Sequence, residues 1–294
     1  MPALYHVQAL DALFTWYSGV IENYGMGWLE AFGLGIVQGL TEFLPVSSTG
    51  HLVLVRSLFG VTEANALAFD AVLHLATAAA VILYFWPDIQ LLINTALRKL
   101  GRLPVNQRDL TLLFALAVGT IPAVMLGLSL GSIMATAFRN PLLVAGVLIA
   151  GSVLFMYAEW HYLHRHQDNE MTIAKGFKIG LFQSLALVPG MSRSGASIAG
   201  GMLLGLSREE AARFAFLLAV PVILGAGSKK LLELLVNPGE ILLTSLALGA
   251  ITAFVSGLVA IHFMLSFVRR YSLWPFIWYR LILASFIIFI VVFG

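Results

Sequence analysis

Cysteine is absent from the 294 residues, which excludes thiol nucleophiles, disulfides and Cys-ligated metals. Charge is scarce: 11% of residues are Asp, Glu, Lys or Arg, against about 25% in a soluble domain. Hydrophobic residues make up 60% and the mean hydropathy is +0.91, so the chain reads as an integral membrane protein. The formal net charge is only +2, and no nucleic-acid partner is expected. Residues 1–27 lack any Lys or Arg and carry Asp11 and Glu22. A cleavable signal needs a basic n-region, so this stretch reads instead as an interfacial amphipathic extension.

What the chain does have is long apolar runs, of which about 20 residues cross a bilayer. Uninterrupted spans are expected at 64–86, 111–135, 141–160, 210–228, 241–267 and 273–293. Pro87 closes the first, and a basic loop follows with Arg98, Lys99, Arg102 and Arg108. A polar loop runs from His161 to Lys178. Two further apolar stretches are broken near their middles: 28–60 at Pro45 and Ser47-Ser48-Thr49-Gly50, and 180–206 at Pro189-Gly190 and Ser192-Arg193-Ser194-Gly195.

The halves resemble each other. Adding 145 places Gln38 on Gln183, Ser47 on Ser192, Gly50 on Gly195 and Phe69 on Phe214. Adding 130 overlays Leu116-Ala117-x-Gly119-x-Ile121 on Leu246-Ala247-x-Gly249-x-Ile251. Basic residues concentrate in 87–110, 161–178 and at Arg269-Arg270, which makes these loops cytoplasmic and both termini external. The turn at Arg139 and the loop at Lys229-Lys230 are the external exceptions. The broken segments then enter from opposite faces. The expected fold is all-α: six transmembrane helices plus two re-entrant helical hairpins in an inverted-topology repeat. It forms a single membrane domain, residues 28–160 and 161–294 being the two repeats.

Irregular backbone at membrane depth survives only when buried in protein or lining a wet cavity. Each break is followed by Ser and Thr residues suited to cap a second half-helix, whose N-terminus attracts anions. Arg193 on one of them would pair bidentately with phosphate oxygens. Gln38 and Glu42 are four apart and share a helix face, as do Ser48 and His51, three apart. Glu42 is a candidate general base or cation ligand, and His51 a candidate to activate Ser48 or protonate a leaving group. The bland alternatives are that Ser47 and Ser48 only cap a helix, that His51 bonds a carbonyl, and that Glu42 pairs with Arg56 or Arg193. Asp70 and His74, four apart, form a secondary pair that also reads as structural.

The segments EFLPVSSTGH and PGMSRSGAS resemble the two signature segments of the bacterial undecaprenyl-diphosphatase family, the bacitracin-resistance type of membrane phosphatase. The resemblance extends from about Leu29 onward and includes FDAVLHLAT, FAFLLAVP and Tyr279-Arg280. It implies hydrolysis of a C55 polyprenyl diphosphate, the lipid carrier of cell-wall synthesis, at the outer side of the inner membrane. Glu42, Ser48, His51 and Arg193 match the family's catalytic positions, with Gln38, Ser47, Thr49, Ser192, Ser194 and Ser197 lining the site. The family pattern has Glu or Gln where Gln38 stands, and often Thr where Ser197 stands. Attack by Ser48 and attack by a water activated by His51 or Glu42 both fit. So does a divalent cation (Mg2+ or Ca2+) on Glu42 bridging the diphosphate. Homodimerisation is left open, and a transporter or flippase of the same lipid carrier is the alternative function.

Overall fold

A computed structural model describes residues 27–59, 63–137, 140–164, 167–236 and 243–293. The expected N-terminal extension, 1–27, lies outside them apart from Gly27. Among the described residues the chain is helical throughout, with no strand. The elements are α1 (Trp28–Phe43), α2 (Ser48–Phe59), α3 (Glu63–Tyr84), α4 (Trp86–Leu100), α5 (Gln107–Ala137) and α6 (Pro141–His164). After these come α7 (Ile173–Ser184), a 3-10 turn at Leu185–Leu187, α8 (Arg193–Leu203), α9 (Arg208–Val236), α10 (Leu243–Val268) and α11 (Trp274–Phe293).

Among the described residues, five helices are long and apolar enough to cross a membrane: α5, α6, α9, α10 and α11. The remaining expected span, 64–86, is the helix α3, Glu63–Tyr84, but no basic loop follows it directly. Instead α3 turns by 82° into α4, and the two count as one span only when taken together. Pro87 therefore opens a helix rather than closing one. At the first positions of a helix its missing N–H is not needed and its φ is already helical. Along α4, Leu91, Ile93, Leu97 and Leu100 are exposed, with Arg98 and Lys99 in the last turn. That is the pattern of a helix lying in the membrane–water interface. The polar loop is shorter than 161–178, because α6 runs to His164 and Thr172 caps α7 by accepting from the Lys175 backbone N–H. Lys229 and Lys230 lie within α9 rather than in a loop. Asn140 caps α6 through its side-chain oxygen, while Arg139 lies outside the described residues.

The two broken segments come out as pairs of short helices. At 1.5 Å per residue, α1 is about 24 Å long and α2 about 18 Å, so neither crosses a hydrocarbon core of roughly 30 Å. α7 and α8 are as short as α2, at 12 and 11 residues. The offset of 145 extends to the elements themselves: α1, α2 and α3 begin at Trp28, Ser48 and Glu63, and α7, α8 and α9 at Ile173, Arg193 and Arg208. Packing interleaves the halves, since α1 lies against α10 while α7 lies against α5. Small residues permit both close crossings. A Cβ on Gly39 would fall 2.0 Å from Ser256 Oγ, and one on Gly180 would fall 2.1 Å from the Gly119 carbonyl oxygen. Each hairpin is thereby anchored to the opposite half, and the two breaks meet in the interior.

Candidate active site

The breaks share a backbone signature. Ser47 and Ser192, equivalent under the offset, both hold positive φ, 75° and 72°. Such non-glycine geometry is costly and persists where its surroundings hold it in place, commonly at functional sites. Each strained serine directly precedes the first residue of a half-helix, Ser48 in α2 and Arg193 in α8. A hydroxyl and a guanidinium therefore occupy matching positions at two helix N-termini, where unpaired N–H groups and the helix dipole favour anions.

Glu42, one residue before the end of α1, joins them. Its side chain is only 4% exposed. Oε1 accepts from Arg193 Nη2 at 2.8 Å. Oε2 accepts from Gln38 Nε2 at 2.8 Å and from Ser48 Oγ at 2.9 Å. Of the two carboxylate partners weighed from the sequence, Arg193 is the one in contact; the Arg56 side chain lies outside the described residues. The arrangement joins a base to a hydroxyl and holds the base by a cation. Two buried atoms at its edge have no protein partner, Arg193 Nη1 and Gln38 Oε1.

The remaining expected residues sit around this centre with different partners. His51 does not reach Ser48. Its Nδ1 lies 2.8 Å from the Ser47 carbonyl oxygen and its Nε2 2.6 Å from the Tyr279 hydroxyl, with the two rings stacked. A carbonyl only accepts, so Nδ1 carries the proton, Nε2 accepts in the neutral ring, and Tyr279 donates. Ser192 Oγ caps α8 by accepting from the Gly195 N–H at 3.3 Å. Ser194 Oγ donates to the Leu44 carbonyl at 3.2 Å, tying α8 to the first break. Ser47 is buried. Thr49 stands in the first turn of α2, half-buried, with no side-chain bond that distinguishes it. Ser197, one turn beyond Arg193, is fully buried and its hydroxyl has no protein partner.

Two groups were undervalued from the sequence. The Asp70–His74 spacing is met through the backbone, His74 Nδ1 lying 2.8 Å from the Asp70 carbonyl. That contact turns His74 Nε2 to 3.6 Å from Glu42 Oε2, so the histidine borders the site rather than forming a separate helix-face pair. Arg280 is fully buried beneath both breaks. An ionisable residue within a transmembrane helix is a functional hypothesis by default, and that signal alone would have selected it.

Among the described residues no three His, Asp or Glu groups converge to hold a metal. Glu42 is the carboxylate at the centre, and its oxygens are occupied by Arg193, Gln38 and Ser48.

The family model described as bacitracin resistance protein BacA matches residues 31–286. The chain is 40% identical over 274 residues to the undecaprenyl-diphosphatase of Renibacterium salmoninarum, covering 92% of this chain and 98% of that protein. It is 39% identical over 265 residues to the undecaprenyl-diphosphatase of Nitrosococcus oceani, with coverage of 90% and 99%. The undecaprenyl-diphosphatase of Desulforudis audaxviator is 43% identical over 262 residues, with coverage of 89% and 97%.

Proposed function

The chain belongs to the bacitracin resistance protein BacA family, and on that premise we infer that it hydrolyses undecaprenyl diphosphate to undecaprenyl phosphate and inorganic phosphate. The reaction returns the lipid carrier to cell-wall synthesis and confers resistance to bacitracin. The observation that carries this reading is the hydrogen bond from Ser48 Oγ to Glu42 Oε2 at 2.9 Å, with Arg193 on the other carboxylate oxygen at 2.8 Å. A hydroxyl within hydrogen-bond reach of an oriented base is the arrangement nucleophilic catalysis needs.

In the proposed mechanism Ser48 Oγ attacks the terminal phosphorus while Glu42 takes its proton. The bond between that phosphorus and the bridging oxygen breaks, and undecaprenyl phosphate leaves. Water then attacks the phosphoserine, releasing inorganic phosphate and restoring the Ser48 hydroxyl. Arg193 Nη1, which has no protein partner, would donate to a phosphoryl oxygen, aided by the N-termini of α2 and α8. Glu42 rather than His51 is the base, because both His51 nitrogens are engaged elsewhere. A divalent cation, for which Glu42 is the candidate ligand, would supply further neutralisation of the diphosphate charge.

The protein is a multi-pass membrane protein, and we place it in the bacterial inner membrane with the hairpins inverted and the site open to the outer face. Supporting this orientation, Arg269 and Arg270 lie in the short turn between α10 and α11, beside the end of α6 where Glu159 accepts from the Leu273 N–H, and basic residues in short loops mark the cytoplasmic side.

Release of phosphate from undecaprenyl diphosphate by the purified protein in detergent tests the reading. Sustained release supports hydrolysis. Lipid binding with no release, and movement of the lipid between leaflets of liposomes, would support transport instead.

A further inference from the structure

Arg280, on α11, is a buried cation whose partners are all neutral. Nη1 donates to the carbonyls of Pro45 at 3.4 Å and Met191 at 3.1 Å. Nη2 donates to those of Gly190 and Leu148, both at 3.1 Å, and Nε to Ser152 Oγ at 3.3 Å. The guanidinium carbon lies 4.8 Å from the centroid of the Phe155 ring. Burying a charge against neutral acceptors is costly, and an apolar side chain of similar volume would serve stability as well or better. The fold nevertheless makes room for it: a Cβ on Gly151 would fall 2.2 Å from Arg280 Nη2.

The acceptors show what the residue does. Pro45 belongs to the first break and Gly190 to the second, and the two are equivalent under the offset of 145. Each lies two residues before a strained serine, and Gly190 itself has φ of +99°. Breaks of this kind keep their geometry only when the surroundings over-determine it. Phe155, under the guanidinium, also supports the first turn of α8, since a Cβ on Gly195 would fall 2.1 Å from its Cζ. The fork of one arginine therefore spans both chain breaks, a task a lysine's single point of charge cannot perform.

We propose that Arg280 is a positioning residue: by bonding carbonyls of both breaks it fixes the α2 and α8 N-termini relative to each other, so that Ser48 and Arg193 address one phosphate. The proposal deepens the phosphatase reading and rests on it.

The test uses the full-length protein in detergent, with turnover expressed per monodisperse, folded molecule. Arg280→Met should lower kcat about 100-fold, the loss expected from roughly 1 Å of misplacement. Arg280→Lys, which keeps the charge and loses the fork, should fall between Arg280→Met and wild type. It also replaces Arg280→Met in the comparison if that variant does not remain monodisperse. The register of the breaks is read separately. The chain has no cysteine, so Leu44→Cys with Ser194→Cys, at two segments that the bond from Ser194 Oγ to the Leu44 backbone carbonyl brings close, reports their register by disulfide yield. That yield should drop when Arg280 is replaced. Unchanged turnover per folded molecule, or an unchanged cross-link, overturns the proposal. If wild type releases no phosphate, the phosphatase reading fails, while the cross-link still decides whether Arg280 sets the register.

Discussion

Glu42→Gln keeps the shape of the side chain and removes its charge, which separates what the carboxylate does for folding from what it does for chemistry. Arg193 would lose its anionic partner while its side chain remains only 16% exposed. Removing one member of a buried pair costs about 3–5 kcal/mol. The partial access of Arg193 to water places this case near 3 kcal/mol, or a fall in Tm of roughly 6–12 °C. Loss of the proton acceptor for Ser48 should independently lower kcat about 10²–10⁴-fold, or ~2.7–5.4 kcal/mol of transition-state stabilisation. The double variant Glu42→Gln with Arg193→Gln divides the two effects. With both charges gone, stability should recover to within about 1 kcal/mol of wild type, while turnover stays lost. Thermal denaturation in detergent and initial rates of phosphate release measure both. A Glu42→Gln enzyme turning over within tenfold of wild type would refute Glu42 as the base.

Three further outcomes follow from the geometry. Tyr279→Phe removes the hydroxyl that reaches His51 Nε2 but keeps the stacked ring. The lost bond is worth about 1 kcal/mol, so kcat should fall about fivefold with little change in Tm; a larger loss would make Tyr279 a reacting group. Gly195→Ala drives a methyl to 2.1 Å from the Phe155 ring in the first turn of α8. Overpacking of this kind costs roughly 1–3 kcal/mol, so both Tm and phosphate release should decline, and a wild-type rate would mean α8 can shift freely. Glu159→Gln provides the contrast. Glu159 is buried against Arg208 and accepts from the Leu273 N–H at 2.6 Å, joining α6 to α9 and to the residue just before α11. Its loss should cost about 3–5 kcal/mol of stability while turnover per folded molecule stays at the wild-type value.

The sequence made the two breaks legible because Pro45, Pro189 and the serine runs interrupt otherwise apolar stretches, where a continuous helix has no reason to stop. Their convergence was legible only in part. The offset of 145 pairs Ser48 with Arg193 as residue positions, but the contact of Arg193 with Glu42 spans 151 residues of chain and follows from the interleaved packing of the halves. His51 shows the limit of local periodicity. Its spacing from Ser48 places both on one helix face, yet the imidazole is held by Ser47 and by Tyr279, which is 228 residues away. Pro87 shows another, since the same residue can end one helix or begin the next. What decided between them was the apolar pattern of Leu91, Ile93, Leu97 and Leu100 lying crosswise to α3. Arg280 carried a readable signal, a charge within an apolar span, although its five acceptors lie on three separate segments that only the fold assembles.

The measurement that bears most directly on the account is phosphate release from undecaprenyl diphosphate by wild type, Ser48→Ala and Arg193→Ala, each normalised to folded protein. The two breaks forming one catalytic centre predicts sustained release by wild type and a loss of at least about 100-fold in both variants. Ser48→Ala retaining the wild-type rate while Arg193→Ala loses it would contradict serine attack and move the nucleophile to water. Full activity in both would contradict the site itself.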